Sequence, residues 1–201
     1  MAVLAEQAAP ELEEDPRAAR FSEVERGFFV GLEVGYLGLF KTPVAVPSRY
    51  PFAGSGGGQS HGFKTGLQIG YELNSRFAVS LFIFGASESA SASYGAFDLM
   101  SAGADGRFSL VSWKDTNEVT RLHLYGHARL GYLRSNPEGL FGVYAESGLF
   151  RRSDLMLGAG PGLEYFTRLR HFSVGIALDF VYVLHAQAAG ISAAPTLRYT
   201  F

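Results

Sequence analysis

The sequence contains no cysteine among its 201 residues, which excludes disulfide bridges and thiolate metal sites. No apolar run approaches the ~20 residues that a membrane-spanning helix requires. A P-loop, a nucleophile elbow and a His-Glu-x-x-His motif are also absent. The segment Gly158-Ala159-Gly160-Pro161-Gly162 superficially resembles a dinucleotide loop, but it lies inside a predicted strand. The formal net charge of −2 gives no basic footprint for nucleic acid. We therefore expect no catalytic residues, no metal, no cofactor and no nucleic-acid partner.

Glycine and aromatic residues are abundant, with 25 Gly, 17 Phe and 10 Tyr. Apolar and polar residues alternate with the period of two that a strand has when its faces meet different surroundings. In the clearest segment, the bulky face consists of Phe63, Thr65, Leu67, Ile69, Tyr71 and Leu73. The opposite face consists of Lys64, Gly66, Gln68, Gly70 and Glu72. This pattern predicts a strand between apolar and polar environments.

Eight segments of this kind follow one another along the chain. Their predicted bounds are about 26–40, 63–73, 77–84, 97–110, 121–132, 153–166, 172–182 and 191–201. An eight-stranded barrel has interior room for side chains but no wide channel, so the bulky faces must point outward, where only lipid accepts them. The sequence therefore predicts an all-β fold, an eight-stranded antiparallel transmembrane β-barrel.

The chain divides into a tail, residues 1–25, and a barrel, residues 26–201. The tail carries seven acidic residues and two arginines, a net charge of −5, and is predicted to be disordered. Its first five residues are interpreted either as the remnant of a signal peptide or as an ordinary start. Connections at 41–60, 87–96 and 135–152 are long, and those at 74–76, 111–120 and 167–171 are mostly shorter. Because outer-membrane barrels have long extracellular loops and short periplasmic turns, we expect this membrane and both termini in the periplasm.

The inward faces carry charged and polar residues at two levels. The predicted lumen polar network comprises Glu33, Lys64, Gln68, Glu72, Asp105, Arg107, His127, Arg129, Glu164, Asp179 and Arg198. Buried charges cost several kcal/mol unless they are paired, so we expect a salt-bridged plug, with Glu72 or Glu164 as the partner of Arg198. The acid-rich upper level favours a protonated or strongly hydrogen-bonded His127. A proton or solute path through these groups is the alternative.

Several segments resemble known outer-membrane proteins. The overall pattern looks like the small barrels of the OmpA and OmpW type, and Leu197-x-Tyr199-x-Phe201 is similar to the insertion signal of the barrel assembly machinery. Segments 95–99, 137–142 and 164–175 resemble an outer-membrane barrel of the myxobacterial adventurous gliding motility machinery. That resemblance implies a non-enzymatic component of an envelope-spanning complex coupled to surface adhesion.

The expected partners are outer-membrane lipid and other envelope or motility proteins, namely lipoproteins or barrels. Exposed apolar clusters mark contact sites, so the 135–152 loop is predicted to contact a partner through Leu140, Phe141, Tyr144 and Phe150. Two other functions stay open. One is a narrow channel or hydrophobic-ligand carrier of the OmpW type, and the other is a lipid-modifying enzyme using Ser60 and His61.

Overall fold

The computed structural model describes residues 27–42, 58–90, 96–116, 119–136, 153–169, 171–184 and 186–201. These residues form eight strands: β1 (Phe28–Thr42), β2 (Gly58–Glu72), β3 (Phe77–Ala90), β4 (Ala96–Lys114), β5 (Thr120–Asn136), β6 (Ser153–Phe166), β7 (Phe172–Val183) and β8 (Ala188–Thr200). No helix in the described part of the chain is long and apolar enough to cross a membrane.

The strands form one closed antiparallel barrel in sequence order, and β1 pairs with β8 to complete it. The register can be followed around the barrel through Phe28, Tyr71, Val79, Gly106, Ala128, Ala159, Phe180, Ile191 and Gly38. Following these paired residues once around the barrel starts at residue 28 of β1 and ends at residue 38 of the same strand. The strands are therefore staggered by ten residues in total. Strands with such a stagger are tilted by about 40° from the barrel axis, so lumen residues of equal register lie at different heights.

Bulky apolar side chains cover the outside of the barrel, as the alternation predicts. Their exposed fractions reach 69% for Leu81 and 52% for Leu67 and Leu130. Water would not tolerate a continuous apolar belt of this kind on a monomer, whereas lipid would. The predicted transmembrane β-barrel is thus confirmed.

Aromatic rings mark the turn end of this belt, the end at which Gly27 and Phe201 lie. Phe77 and Phe108 have ring centroids 4.8 Å apart, and Tyr199 lies 4.9 Å from Phe201 and 5.0 Å from Phe172. The amide of Phe201 donates to the carbonyl of Phe28, 2.9 Å away, so the end of the chain is hydrogen-bonded to the first strand. Rings at this level are typical of the interface between lipid and water.

The strands extend beyond several predicted bounds. The polar connection predicted at 111–120 is wrong, because β4 continues to Lys114 and β5 begins at Thr120. The long connections predicted at 41–60, 87–96 and 135–152 are shorter, since the adjoining strands end at Thr42, Ala90 and Asn136. The final strand likewise begins at Ala188 rather than residue 191. Backbone pairing continues outside the lipid belt, where the bulky-and-small alternation that marks a lipid-facing strand fades.

The glycine run of β6 allows close approach inside the narrow lumen. A Cβ on Gly162 would overlap the Tyr125 ring, and one on Gly160 would overlap the Leu178 carbonyl of the neighbouring strand. The structure therefore confirms backbone crowding as the reason for these glycines. The acidic tail predicted for residues 1–25 lies outside the described residues.

Candidate functional site in the barrel lumen

The turn-end layer of the lumen pairs two arginines with two glutamates. Arg107 forms a salt bridge with Glu164, and Arg198 forms one with Glu72. Arg198 also lies 3.5 Å from Glu164, joining the two pairs. Ser173 donates a 2.6 Å hydrogen bond to the second oxygen of Glu164. This layer is therefore a connected network of opposite charges.

Aromatic rings cover the two turn-end arginines. The guanidinium of Arg107 lies 3.5 Å from the centre of the Tyr125 ring, and that of Arg198 lies 3.8 Å from the centre of the Phe29 ring. Cation–π contacts with desolvated arginines are stronger than those at exposed sites. The rings thus partly replace the water that each guanidinium loses in the lumen.

Arg129 is the centre of the middle layer. Its guanidinium makes a bidentate contact with Glu33, with Nη1 3.0 Å from Oε2, and its Nε lies 2.6 Å from Asp105. Asp179 lies 3.7 Å from the same Nε. One buried side chain of β5 thereby connects β1, β4 and β7 across the lumen. Bidentate arginine–carboxylate contacts are geometrically specific as well as strong.

Lys64 adds the second positive charge of the middle layer. Its Nζ lies 3.1 Å from Glu33 and 3.9 Å from Asp179, and it donates to the Ser192 hydroxyl 3.4 Å away. Gln68 donates to Glu33 from the same strand. The sequence placed Lys64 above this group, but its long side chain and the strand stagger bring its ammonium into the layer.

His127 lies between two carboxylates of the middle layer. Its Nδ1 is 3.1 Å from Asp105, and its Nε2 is 3.3 Å from Asp179. The Nδ1 contact is a hydrogen bond, whereas Nε2 has no hydrogen-bond partner. The strongly hydrogen-bonded His127 is thus observed on one side of the ring, and its protonation stays a prediction.

A hydrophobic cluster fills the lumen on the loop side of the network. Its buried members are Leu37, Leu39, Phe82, Phe84, Ala86, Phe97, Leu99, Leu133, Met156, Val181, Val183, Ala186 and Ala188. We call this cluster the apolar seal. Leu39 is 1% exposed and Val183 is 0% exposed, so little of the cluster contacts solvent.

The apolar seal corrects the expectation that the inward face is mainly small and charged. Phe82 and Phe84 point inward and are 5% and 4% exposed. Leu37, Leu39 and Val183 were not recognised, although they occupy the inward phase of their strands. The sequence signal is a switch from alternation to continuous apolar residues near the loop ends, as in Phe180-Val181-Tyr182-Val183. An unbroken run of this type means that both faces of the strand are apolar.

Other lumen residues that the sequence did not single out are polar or aromatic partners. Ser173, Ser192, Tyr125 and Phe29 contact the charged groups described above. Each occupies the same inward phase as the predicted network, and this phase is the signal that could have identified them. Their individual contacts depend on strand register, which the alternation does not specify.

Apart from Ser60, the remaining predicted residues lie outside the lumen or outside the described ranges. Leu197 and Phe201 lie on the outer face, with exposed fractions of 44% and 63%. Tyr199 packs between the rings of Phe172 and Phe201. Ser60 is buried on the inner face of β2, whereas the next residue, His61, is exposed on the outer face. The loop residues Leu140, Phe141, Tyr144 and Phe150 lie outside the described residues.

The structure offers no metal centre in the part of the chain that it describes. Within these ranges, no group of three or more His, Asp or Glu side chains has a geometry that could hold a metal ion. Two small cavities of about 30 Å³ remain among the polar side chains, one at the turn end and one beside Glu33 and Arg129. Each volume suits about one water molecule. The described lumen is thus packed rather than open.

Comparisons with known proteins support the fold. No protein-family model matches the sequence, and no curated protein matches it. The crystal structure of Neisserial surface protein A is similar with a TM-score of 0.61 and 17% sequence identity, over 87% of this chain and 97% of that chain. The outer membrane protein OprG from Pseudomonas aeruginosa is similar with a TM-score of 0.50 and 10% identity, over 90% and 99% of the two chains. At these identities the similarity establishes a shared architecture.

Proposed function

We propose that this chain is a non-enzymatic outer-membrane barrel that serves as a structural and interaction component of an envelope-spanning complex. The observation that carries the proposal is the filled lumen, in which a paired charge network adjoins the apolar seal. A barrel filled in this way is suited to anchoring rather than to transport. Its activity would then reside in the surfaces that it presents at the two sides of the membrane.

The outer membrane is the location that best suits the architecture. The apolar belt requires lipid, and the two proteins of similar structure are an outer membrane protein and a surface protein by their names. Gly27 and Phe201 lie together at the turn end, where Gly27 accepts a hydrogen bond from Glu72 and Phe201 donates one to Phe28. We place this end in the periplasm, because short turns face that side in such barrels.

Within this class, a role in gliding motility and adhesion is the finer proposal. Segments 95–99, 137–142 and 164–175 resemble the gliding-machinery barrel CglE. The partners would be lipoproteins or other barrels of the envelope. The loop between β5 and β6 is the proposed contact, on the basis of Leu140, Phe141, Tyr144 and Phe150.

A pull-down experiment tests the interaction role. The full chain and a variant with residues 138–151 replaced by a Gly-Ser linker are purified from detergent-solubilised outer membrane. A variant with residues 44–56 replaced in the same way is the matched control. We expect the first replacement to remove at least one co-purifying envelope protein that the control retains. An unchanged set of partners would contradict the proposed contact, and recovery outside the outer-membrane fraction would contradict the location.

The channel alternative is tested separately by recording from planar bilayers. The apolar seal leaves no continuous polar path through the described lumen, so we expect the purified barrel not to conduct ions. Stable unitary conductance that persists after repeated purification would favour the narrow channel instead.

A further inference from the structure

Glu88 is a buried carboxylate near the loop end of the lumen. The residue is 1% exposed, and both carboxylate oxygens are inaccessible to solvent. Neither oxygen has a hydrogen-bond partner among the described residues. Native proteins satisfy most buried side-chain polar atoms, so this unsatisfied pair requires an explanation.

The Ser60 hydroxyl lies next to Glu88 on the inner face. Glu88 pairs across the ladder with Gly62, and Ser60 is two residues from Gly62 on β2. Ser60 is 3% exposed, and its hydroxyl interacts with the Glu88 carboxylate without forming a hydrogen bond of normal geometry. The two strands thus bring a carboxylate and a hydroxyl together near the mouth of the lumen, two residues from the ends of β2 and β3.

Apolar residues adjoin this pair, and the described residues place no cation within ion-pair distance of Glu88. Phe97 pairs with Glu88, and Leu37 pairs with Gly62. Lys64 is the described basic residue on the same face of β2, and its ammonium is directed to Glu33 and Ser192 at 3.1 Å and 3.4 Å. Its position leaves Glu88 outside the charge network.

Every other buried acid described in the lumen has partners. Glu33, Asp105 and Glu164 form ion pairs, and Asp179, whose oxygens also lack hydrogen bonds, lies 3.7 Å from Arg129 and 3.9 Å from Lys64. Asp154 instead accepts hydrogen bonds from the backbone amides of Leu155 and Ala186, both at 2.7 Å. Glu88 therefore differs from these acids in having neither a hydrogen bond nor a basic side chain within ion-pair distance among the described residues.

We propose that Glu88 and Ser60 form a receptor for one nitrogen cation, an ammonium or guanidinium group, that enters from the loop end of the barrel. The carboxylate supplies the charge, the hydroxyl supplies a second acceptor, and the apolar walls strengthen the pairing by excluding water. This site is independent of the role in gliding motility. The same nitrogen chemistry has two possible sources, a free or partner-borne amine and a basic residue of this chain.

The first arm of the test uses n-butylammonium chloride as the probe and n-butanol as the uncharged control. The full chain in detergent micelles is titrated while the ¹³C signal of the Glu88 carboxyl group and the unfolding temperature are measured. If the cation is external, we expect a saturable shift of the Glu88 signal and a rise in unfolding temperature. In Glu88→Gln the amine-dependent rise in unfolding temperature should be at least tenfold smaller, whereas Asp98→Asn, which alters an exposed carboxylate at the same end, should preserve both responses.

The second arm examines the basic residues that the sequence places near this end of the barrel: Lys41, Arg49, Arg151 and Arg152. Each is changed to Gln, alone and together with Glu88→Gln. If the cation belongs to the chain, the amine should have no effect on the wild type. One single variant should then lower the unfolding temperature as Glu88→Gln does, and the double variant should lower it no further.

Either a saturable amine response that requires Glu88 or non-additive coupling to one basic residue supports the receptor. If both are absent, the proposal is overturned, whatever effect Glu88→Gln alone has on the unfolding temperature. The carboxyl ¹³C signal keeps the test decisive even if a variant unfolds, because the amine titration needs only the wild-type chain.

Discussion

The two halves of the lumen fill the same cylinder by opposite means. Toward the turn end and the centre, charged side chains cross the barrel and pair, with Arg129 contacting three strands at once. Toward the loop end, Leu39, Leu99 and Val183 fill the space without hydrogen bonds. The first half specifies geometry because every charge needs a particular partner, and the second excludes water because it offers water no partner. A closed barrel of this kind needs both properties, and the two halves should respond differently to mutation.

The largest effect is expected for Arg129→Met in the polar half. The change leaves Glu33, Asp105 and Asp179 buried with fewer positive neighbours, and breaking a buried ion pair costs about 3–5 kcal/mol. Equilibrium unfolding by urea in detergent micelles measures the loss. Arg76→Met, which removes an exposed arginine from the turn between β2 and β3, is the control. Equal stability of the two variants would mean that the network does not stabilise the barrel.

A somewhat smaller effect is expected for Leu133→Ala in the apolar half. Leu133 is 2% exposed, and removing a buried leucine side chain costs about 3 kcal/mol when the cavity does not collapse. Leu130→Ala is the matched control, because Leu130 lies on the same strand but faces outward with 52% exposure. We also expect faster amide hydrogen exchange in the middle layer of Leu133→Ala, since the cavity weakens the barrier to water. Unchanged exchange would show that the barrier lies elsewhere in the cluster.

The contrast between the halves also explains how much the sequence could predict. The charged residues stand out in an alternating strand, so the inward phase of Glu33, Arg129 and Asp179 followed from the period of two. The pairing of Arg198 with Glu72 required only that both lie near the turn end. Leu37, Leu39 and Val183 of the apolar seal were hidden because they belong to runs that are apolar on both faces of the strand, and such runs do not show which face points inward.

Register and strand length were beyond the reach of the pattern. The stagger of ten residues brings Lys64 to the level of Asp179, and no feature of a single strand encodes that stagger. The β4–β5 hairpin continues past the lipid belt through Ser112 and Trp113, where backbone hydrogen bonds rather than lipid burial maintain the strand. Glu88 was missed for a related reason, since its segment is rich in Ser and Ala and looks like a loop.

The stability of the barrel should depend less on the turn-end layer of the polar half than on its middle layer. Glu72→Gln removes the charge that Arg198 pairs with, but Arg198 keeps Glu164 at 3.5 Å. We therefore expect a loss of about 1–2 kcal/mol in the urea experiment, less than for Arg129→Met, because the remaining pair prevents a fully unsatisfied charge. Asp115→Asn, which removes the charge paired with Arg121 at 3.0 Å near the hairpin tip, should cost less than Glu72→Gln, because Arg121 also donates to the Thr167 carbonyl 3.0 Å away. A loss at Glu72 as large as that at Arg129 would indicate that the two layers act as one unit.

The smallest effect on the free energy of unfolding is expected outside the lumen, among the aromatic rings on the outer surface at the turn end. Phe77 and Phe108 have tilted rings 4.8 Å apart, and such pairs contribute about 1 kcal/mol beyond the area they bury. A double-mutant cycle with Phe77→Leu and Phe108→Leu isolates this coupling, because each single change keeps an apolar side chain at the lipid boundary. We expect the coupling to be unaffected by Leu133→Ala, since the apolar seal lies at the other end of the barrel and distant sites contribute additively. Coupling that disappears in the Leu133→Ala background would mean that the two ends of the barrel do not stabilise it independently.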